Sequence, residues 1–286
     1  MAVYGRNIYS DQDVYLGKLG EASMPKLLGV QSFDGDWALP VETISAAGHG
    51  PVAEVINGSL EGNVSISRYV TRASDPITGL LTVPLSGKLT YDKEDEVFTK
   101  AFSFSRAYID SFSSDCSVGD IATADVGITV YGGISNATGE TSTPVEAVEI
   151  ARAGDISLNV NGYETNAVQS YAFGVTIGRT PVDTLGNNFK PTDFIVNYPI
   201  EATVDFDIIV NDYESSGVYE QICSPIRQDL SINLNTCSGT NIRKFSLSNA
   251  RLISYNTNAG IGDNMGASLS YIKYLKTTGE LAALFQ

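Results

Sequence analysis

The single histidine of this chain, His49, stands between two glycines in "AAGHGP". A Ser-His-Asp or Cys-His relay would have to be built around that one imidazole. No GxSxG, HExxH or GxxxxGK[ST] occurs anywhere in the sequence, so the common nucleophile, zinc and phosphate motifs are missing. His49 therefore reads as a loop residue at a contact rather than as a general base. The acidic run "DKEDE" at 92–96 has oxygens enough for Ca²⁺ but lacks the DxDxDG spacing of a calcium loop. It lies between "GKLTY" and "VFTKAFSF", where an exposed hairpin tip is expected. Cys116, Cys223 and Cys237 form no CxxC pair, and an odd count closes no disulfide framework. They read as small buried residues in a reducing compartment, a Cys223–Cys237 pairing across a loop being the alternative. Asn57, Asn63 and Asn136 begin N-x-[ST] sequons, which carry meaning only in a secreted protein. Trp37, the only tryptophan, reads as a core or interface anchor. No catalytic, cofactor-binding or metal-binding residue is assigned, and the expectation is a protein that is not an enzyme.

The elements that carry these residues follow from composition. At 286 residues, 43% hydrophobic and only 18% charged, the chain has material for one large or two modest cores. Its Gly, Ser, Thr, Asn and Tyr content suits short strands and many turns. No apolar run reaches the 18 or so residues of a membrane-crossing helix. "MAVYGRNIYSDQD" lacks the pattern of a secretory signal, so a cytosolic protein, or one assembled from a cytosol, is expected. Eighteen Lys and Arg stand against 33 Asp and Glu, a formal charge of −15. Nucleic-acid binders neutralise phosphates with basic side chains and release counterions. A chain this acidic repels them on average. That argues against a binder of nucleic acid, though not against a wall that nucleic acid slides past.

The sequence also repeats. "VQSF" at 30–33 returns as "VQSY" at 168–171. "VINGSLEGNVSISRYV" at 55–70 faces "IVNYPIEATVDFDIIV" at 195–210, with Asn57/Asn197, Glu61/Glu201, Val64/Val204 and Val70/Val210 matched without a gap. "FSFSRAYIDSFSSDCSVGD" at 102–120 faces "FSLSNARLISYNTNAGIGD" at 245–263, and that register continues to Tyr131/Tyr274. The blocks keep their order at separations of 138, 140 and 143. They imply two tandem copies of one module: a first β domain over 1–131, a Gly/Ser/Thr/Pro linker at 132–144 and a second β domain over 145–286. One large β domain with look-alike strands is the alternative.

Within each copy the period is two. Val64, Ile66 and Val70 share one side and Ser65, Ser67 and Tyr69 the other, while Val204, Phe206 and Ile208 alternate with Asp205 and Asp207. Such alternation predicts strands with one face on a core and one on water. "VGDIATAD" (118–125) and "IGDNMGAS" (261–268) predict connections between strands. Helix is expected only around 74–82 and 215–226. Long polar connections at 41–54 and 179–191 occupy equivalent places in the two copies, and connections of that length are commonly functional.

"LLGVQSFDGDWALPVE" leading into a long loop, then "INGSLEGNVSISRYV" and "TRASDP", resemble the tail tube (major tail) proteins of tailed bacteriophages. The resemblance is one of pattern, carried by short motifs over most of the chain. It implies an all-β fold, mainly an antiparallel β-sandwich or barrel with a minor helix. It also implies a structural virion protein whose rings stack into a tube, assembled in a bacterial cytoplasm. Two modules per chain imply a trimeric ring with pseudo-sixfold symmetry; six chains per ring is the alternative. The implied partners are further copies of the chain and other tail proteins (tape measure, tail terminator, baseplate or distal tail protein, or a sheath). Double-stranded DNA would pass without tight binding, and no membrane or cofactor is implied. Ser65, Ser67, Asp205 and Asp207 become candidates for the channel wall. Glu42, His49 and Val52, with Asp183, Asn187 and Phe189, become candidates for the contact between rings. A neck, sheath or capsid-decoration protein, or a carbohydrate-binding module, stays open as another reading.

Overall fold

Alternating side chains build nearly every element of the protein. The computed structural model describes residues 12–38, 41–45, 51–56, 61–71, 75–94, 97–138, 149–160, 163–165, 167–184, 186, 191–209, 227–236, 239–258 and 265–285. The strands of the first half are β1 (Asp13–Lys18), β2 (Val30–Ala38), β3 (Val41–Ser45), β4 (Pro51–Ile56), β5 (Glu61–Tyr69), β6 (Leu85–Glu94), β7 (Val97–Ser117), β8 (Thr123–Val130) and β9 (Ile134–Thr138). Those of the second half are β10 (Ile156–Val160), β11 (Tyr163–Thr165), β12 (Val168–Thr176), β13 (Arg179–Val182), β14 (Asp193–Val196), β15 (Ile200–Ile209), β16 (Arg227–Asn235), β17 (Asn241–Asn258) and β18 (Gly266–Leu275). Among the described residues the helices are α1 (Pro76–Leu80) and α2 (Thr278–Ala282), with a 3-10 turn at Ala153–Asp155. The fold is all-β, with antiparallel pairing throughout the described ladders.

Strand order repeats along the chain. The first half runs β1-β6-β7-β8-β5-β2 and the second β10-β16-β17-β18-β15-β12. Irregularities recur with the same spacing as the sequence blocks. Each VQS segment carries a bulge against its partner, between Val30/Ser32 on β2 and between Val168/Ser170 on β12. Arg106 and Asn249, 143 positions apart, both adopt positive φ (53° and 57°), each beside a register shift in its own long strand. These kinks let β7 and β17 pair with one neighbour before the bend and another after it.

The two halves share one sheet, because β12 also pairs with the C-terminal part of β7, from Ser170↔Ser117 to Thr176↔Ser111. Beneath that joint lie Phe112 of the first half and Phe173, Phe245 and Phe285 of the second. Phe173 stacks on Phe245 at 4.6 Å and Phe112 meets Phe285 edge-on at 5.1 Å. One apolar cluster continues through both halves, and its burial is the main stabilising term.

Capping explains the helices. Asp75 accepts a hydrogen bond from the Ile77 amide at 3.1 Å, and Pro76 opens α1, as N-cap and N1 preferences require. Thr277 caps α2 by accepting from the Glu280 amide at 3.2 Å, while Glu280 accepts from the Lys276 amide at 2.6 Å. The helix expected around 74–82 is therefore α1; the one expected at 215–226 lies outside the described residues. Of the acidic run at 92–96, the residues through Glu94 end β6, with Glu94 opposite Val97 of β7, and the last two lie outside the described residues. Gly119, in the connection between β7 and β8, takes φ +94°, a value that favours glycine.

Two expectations need correction. Within the connections at 41–54 and 179–191 the described residues are partly strand: Val41–Ser45 pairs with Pro51–Ile56 as the β3–β4 hairpin, and Arg179–Val182 pairs with Asp193–Val196 as the β13–β14 hairpin. Their short strands fail to alternate clearly, yet Thr192 donates from both its amide and its hydroxyl to the Val182 carbonyl, each at 2.9 Å. The stretch 132–144 is more than a linker, because Ile134–Thr138 pairs with Lys100–Phe104 of β7. There the Ser103 and Ser135 hydroxyls meet at 2.8 Å.

Candidate functional site

Lateral neighbours in an antiparallel sheet point to the same side, so the register decides which polar residues share a face. Ser65 of β5 lies opposite Gly127 of β8, which lies opposite Ser111 of β7. Ser67 continues through Asp125 to Ser113 in the same way. Across the joint, Asp115 of β7 faces Ala172 of β12 and then Asp205 of β15. Ser117 faces Ser170 and then Asp207. The four wall candidates therefore occupy one face of one continuous sheet, although 140 positions separate Ser65 from Asp205. Ser65, Asp205 and Asp207 are exposed and Ser67 is half-buried. Val64, Ile66, Val126, Phe112, Phe173, Val204 and Phe206 fill the opposite face.

This face is acidic and rich in hydroxyls. Asp207 accepts from Ser170 Oγ at 2.6 Å and from Ser268 Oγ at 2.5 Å, a carboxylate clasped between hydroxyls of both neighbouring strands. Asp115 accepts from Thr123 Oγ1 at 3.1 Å, and Asp110 accepts from Thr129 Oγ1 at 2.6 Å. At the β2 end, Asp34, Asp36, Asn63, Ser65, Asp110 and Ser111 line a shallow groove of about 430 Å³. Arg251 stands at the margin, opposite Ile272 of β18. Asp34, Asp36, Asp115 and Asp125 escaped the sequence reading because only long-range pairing brings them onto one face with Asp205 and Asp207. Strand parity taken over all strands at once is the signal that would have found them.

The other candidates are not brought to this face. Asp183 is exposed just after β13. Glu42 and Val52 belong to β3 and β4, with side chains outside what the structure describes. His49, Asn187 and Phe189 lie outside the described residues. Trp37 lies half-buried on β2, edge-on to Phe102 with ring centroids 4.8 Å apart. A Cβ at Gly35 or Gly62 would overlap its indole.

Two arginines missed in the sequence, Arg243 and Arg179, tie the halves together, and a third, Arg68, anchors the first of these contacts. Arg68 occupies a core position in the alternation of β5, 3% exposed, and pairs with Asp75. Arg243 of β17 approaches the same carboxylate at 3.3 Å. Burial pulls the Arg68 pKa below the ordinary arginine value, and Asp75 opposes that pull. Arg179 of β13 reaches into the first half, donating to the carbonyls of Ile109 and, at 2.6 Å, Leu81. Its guanidinium lies 5.1 Å from the centre of the Tyr108 ring. Phe194 of β14 packs between Tyr108 and Tyr131, each at 4.5 Å. Burial, followed by nearby carboxylates, raises the pKa of both tyrosines.

No family model and no curated protein matches the chain. Among solved structures it is similar to Hcp1 from Flavobacterium johnsoniae at 14% identity and a TM-score of 0.28. That match covers 42% of this chain and 93% of the other.

Proposed function

We propose that this chain is a tail tube protein of a bacteriophage virion, which joins with its own copies into rings that stack around a channel for DNA. The observation that carries the reading is the acidic, hydroxyl-rich face running unbroken from β2 to β15. A channel that passes DNA must not hold it. Carboxylates on the wall repel phosphates, and with a Debye length of about 8 Å at physiological ionic strength that repulsion stays local to the wall. The net charge of −15 favours the same behaviour.

On this reading the chain is two copies of one module. Support comes from the matching strand orders, the paired bulges and the two positive-φ residues at equivalent places. Two modules per chain make a trimer the natural ring, with six similar units around the axis. Tape measure, terminator, and baseplate or distal tail proteins would meet the ends of such a tube. Charge reversal tests the wall assignment. Virions carrying both Asp205→Lys and Asp207→Lys should assemble but eject DNA more slowly, and Asp205→Lys alone should do so without disturbing the Ser170 and Ser268 hydrogen bonds. Ejection kinetics equal to those of the parent virion in both variants would refute it.

A further inference from the structure

The internal joint leaves two free edges that match each other. β12 is covered by β7, but its counterpart β2 ends the sheet, pairing with β5 on one side only among the described residues. β7 after its bend pairs with β8 on one side and β12 on the other. Its counterpart, β17 from Leu252 onward, pairs with β18 alone among the described residues. The chain thus presents an edge shaped like β12 at one place and an edge shaped like the end of β7 at another. Long free strand edges are rarely left bare in native proteins.

The surroundings of the two edges point the same way. In the internal joint, Arg179 of the β13–β14 hairpin reaches the first half, and Phe194 packs on Tyr108 and Tyr131 beside Asp110. The equivalent positions are Val41 of the β3–β4 hairpin for Arg179, Tyr274 for Tyr131 and Ile253 for Asp110. The two hairpins share their register, with Arg179 opposite Val196 and Val41 opposite Ile56. Val41, Ile253 and Tyr274 are 51%, 54% and 55% exposed, large apolar side chains in water where their counterparts border a closed joint.

We infer that β2 of one copy adds to the C-terminal part of β17 of the next copy, repeating between chains the joint that β12 and β7 make within one. Carrying the internal register across places Trp37 opposite Tyr255, Asp36 opposite Asn256 and Asp34 opposite Asn258. Trp37 and Tyr255 supply an aromatic cross-strand pair, and Asp36 faces an amide donor rather than another carboxylate. Trp37 belongs to this edge strand, although its indole N–H is buried over Gly62 of β5 and has no hydrogen-bond partner among the described residues. The contact is head-to-tail, so it closes only as a ring or runs on as a filament. The β3–β4 hairpin would then cover Ile253 and Tyr274 of the neighbour. This inference rests on the tube reading and gives it a ring interface.

Directed cross-linking separates the two claims. Asp36→Cys with Asn256→Cys should, on oxidation, give covalent multimers on denaturing gels. Asp36→Cys with Asn241→Cys, far out of register, should give no more than the parent protein with its native cysteines. Hydrogen exchange on the unaltered protein provides the second measurement. Amides of 31–38 and 254–258 should exchange at least about tenfold more slowly in assembled than in dissociated material. Rings or tubes in electron micrographs without in-register cross-links, or without that protection, would overturn the interface and leave the tube reading standing. A protein that stays monomeric and forms neither rings nor tubes at any concentration would overturn both.

Discussion

Replacing Asp75 with asparagine tests whether the buried charge network holds the two halves together. Asp75 neutralises Arg68, which is 3% exposed and whose Nε has no hydrogen-bond partner among the described residues. It also receives Arg243 at 3.3 Å from the other half. Removing one partner of a buried pair costs about 3–5 kcal/mol, because the remaining charge stays buried without compensation. Asparagine keeps an acceptor for the Ile77 amide, so Asp75→Asn should lie near the lower figure, about 3 kcal/mol. Asp75→Ala also loses the cap of α1, adding about 1 kcal/mol. Urea unfolding is the assay, since guanidinium would screen the charges, and it should be run at several protein concentrations to separate folding from assembly. With an m-value of about 3 kcal/mol/M, Asp75→Asn moves the midpoint down by roughly 1 M. Arg68→Met combined with Asp75→Asn removes the stranded charge and should recover at least half of that loss, a non-additivity that a double-mutant cycle measures. Stability of Asp75→Asn within about 0.5 kcal/mol of the parent, or additive losses in the double variant, would refute the reasoning.

Arg179→Lys keeps the charge but loses the planar fork that reaches the Ile109 and Leu81 carbonyls. Urea unfolding should show a loss of about 1.5–3 kcal/mol, in line with a hydrogen bond to a charged group. Cys116 is buried and its thiol pKa is pushed up to about 11, first by desolvation and then by Asp120 and Asp115. Peptide mapping after iodoacetamide at pH 8 should find Cys116 unmodified in folded protein and alkylated in urea. Because the folded thiol holds its proton to higher pH than the unfolded one, this group's contribution to stability is complete below the ordinary thiol pKa. It declines as pH rises toward about 11, and Cys116→Ala should remove that part of the decline.

Local chemistry was legible in the sequence, and long-range pairing was not. The alternation of β5 and β15 announces a core side and a water side, and "SDPITGLL" announces a capped turn of helix. Both signals depend on residues a few positions apart. The hairpins β3–β4 and β13–β14 lie in polar stretches whose pattern is too short to separate a strand from a loop. Arg68 sits in the alternation where an apolar residue belongs, and only Asp75 and Arg243 explain how a charge survives there. The junction of β12 with β7 depends on two strands more than fifty residues apart, and it alone places Asp115 and Ser117 beside Asp205 and Asp207. The wall candidates could therefore be named from the alternation of their strands, but the face they share could not.

The most direct test of the account is electron microscopy of the purified full chain at increasing concentration, with class averages down the particle axis. The account predicts hollow rings of three chains with six similar lobes, stacking into tubes whose inner wall carries Asp205 and Asp207. Monodisperse single chains at every concentration, or assemblies without a central channel, would contradict it.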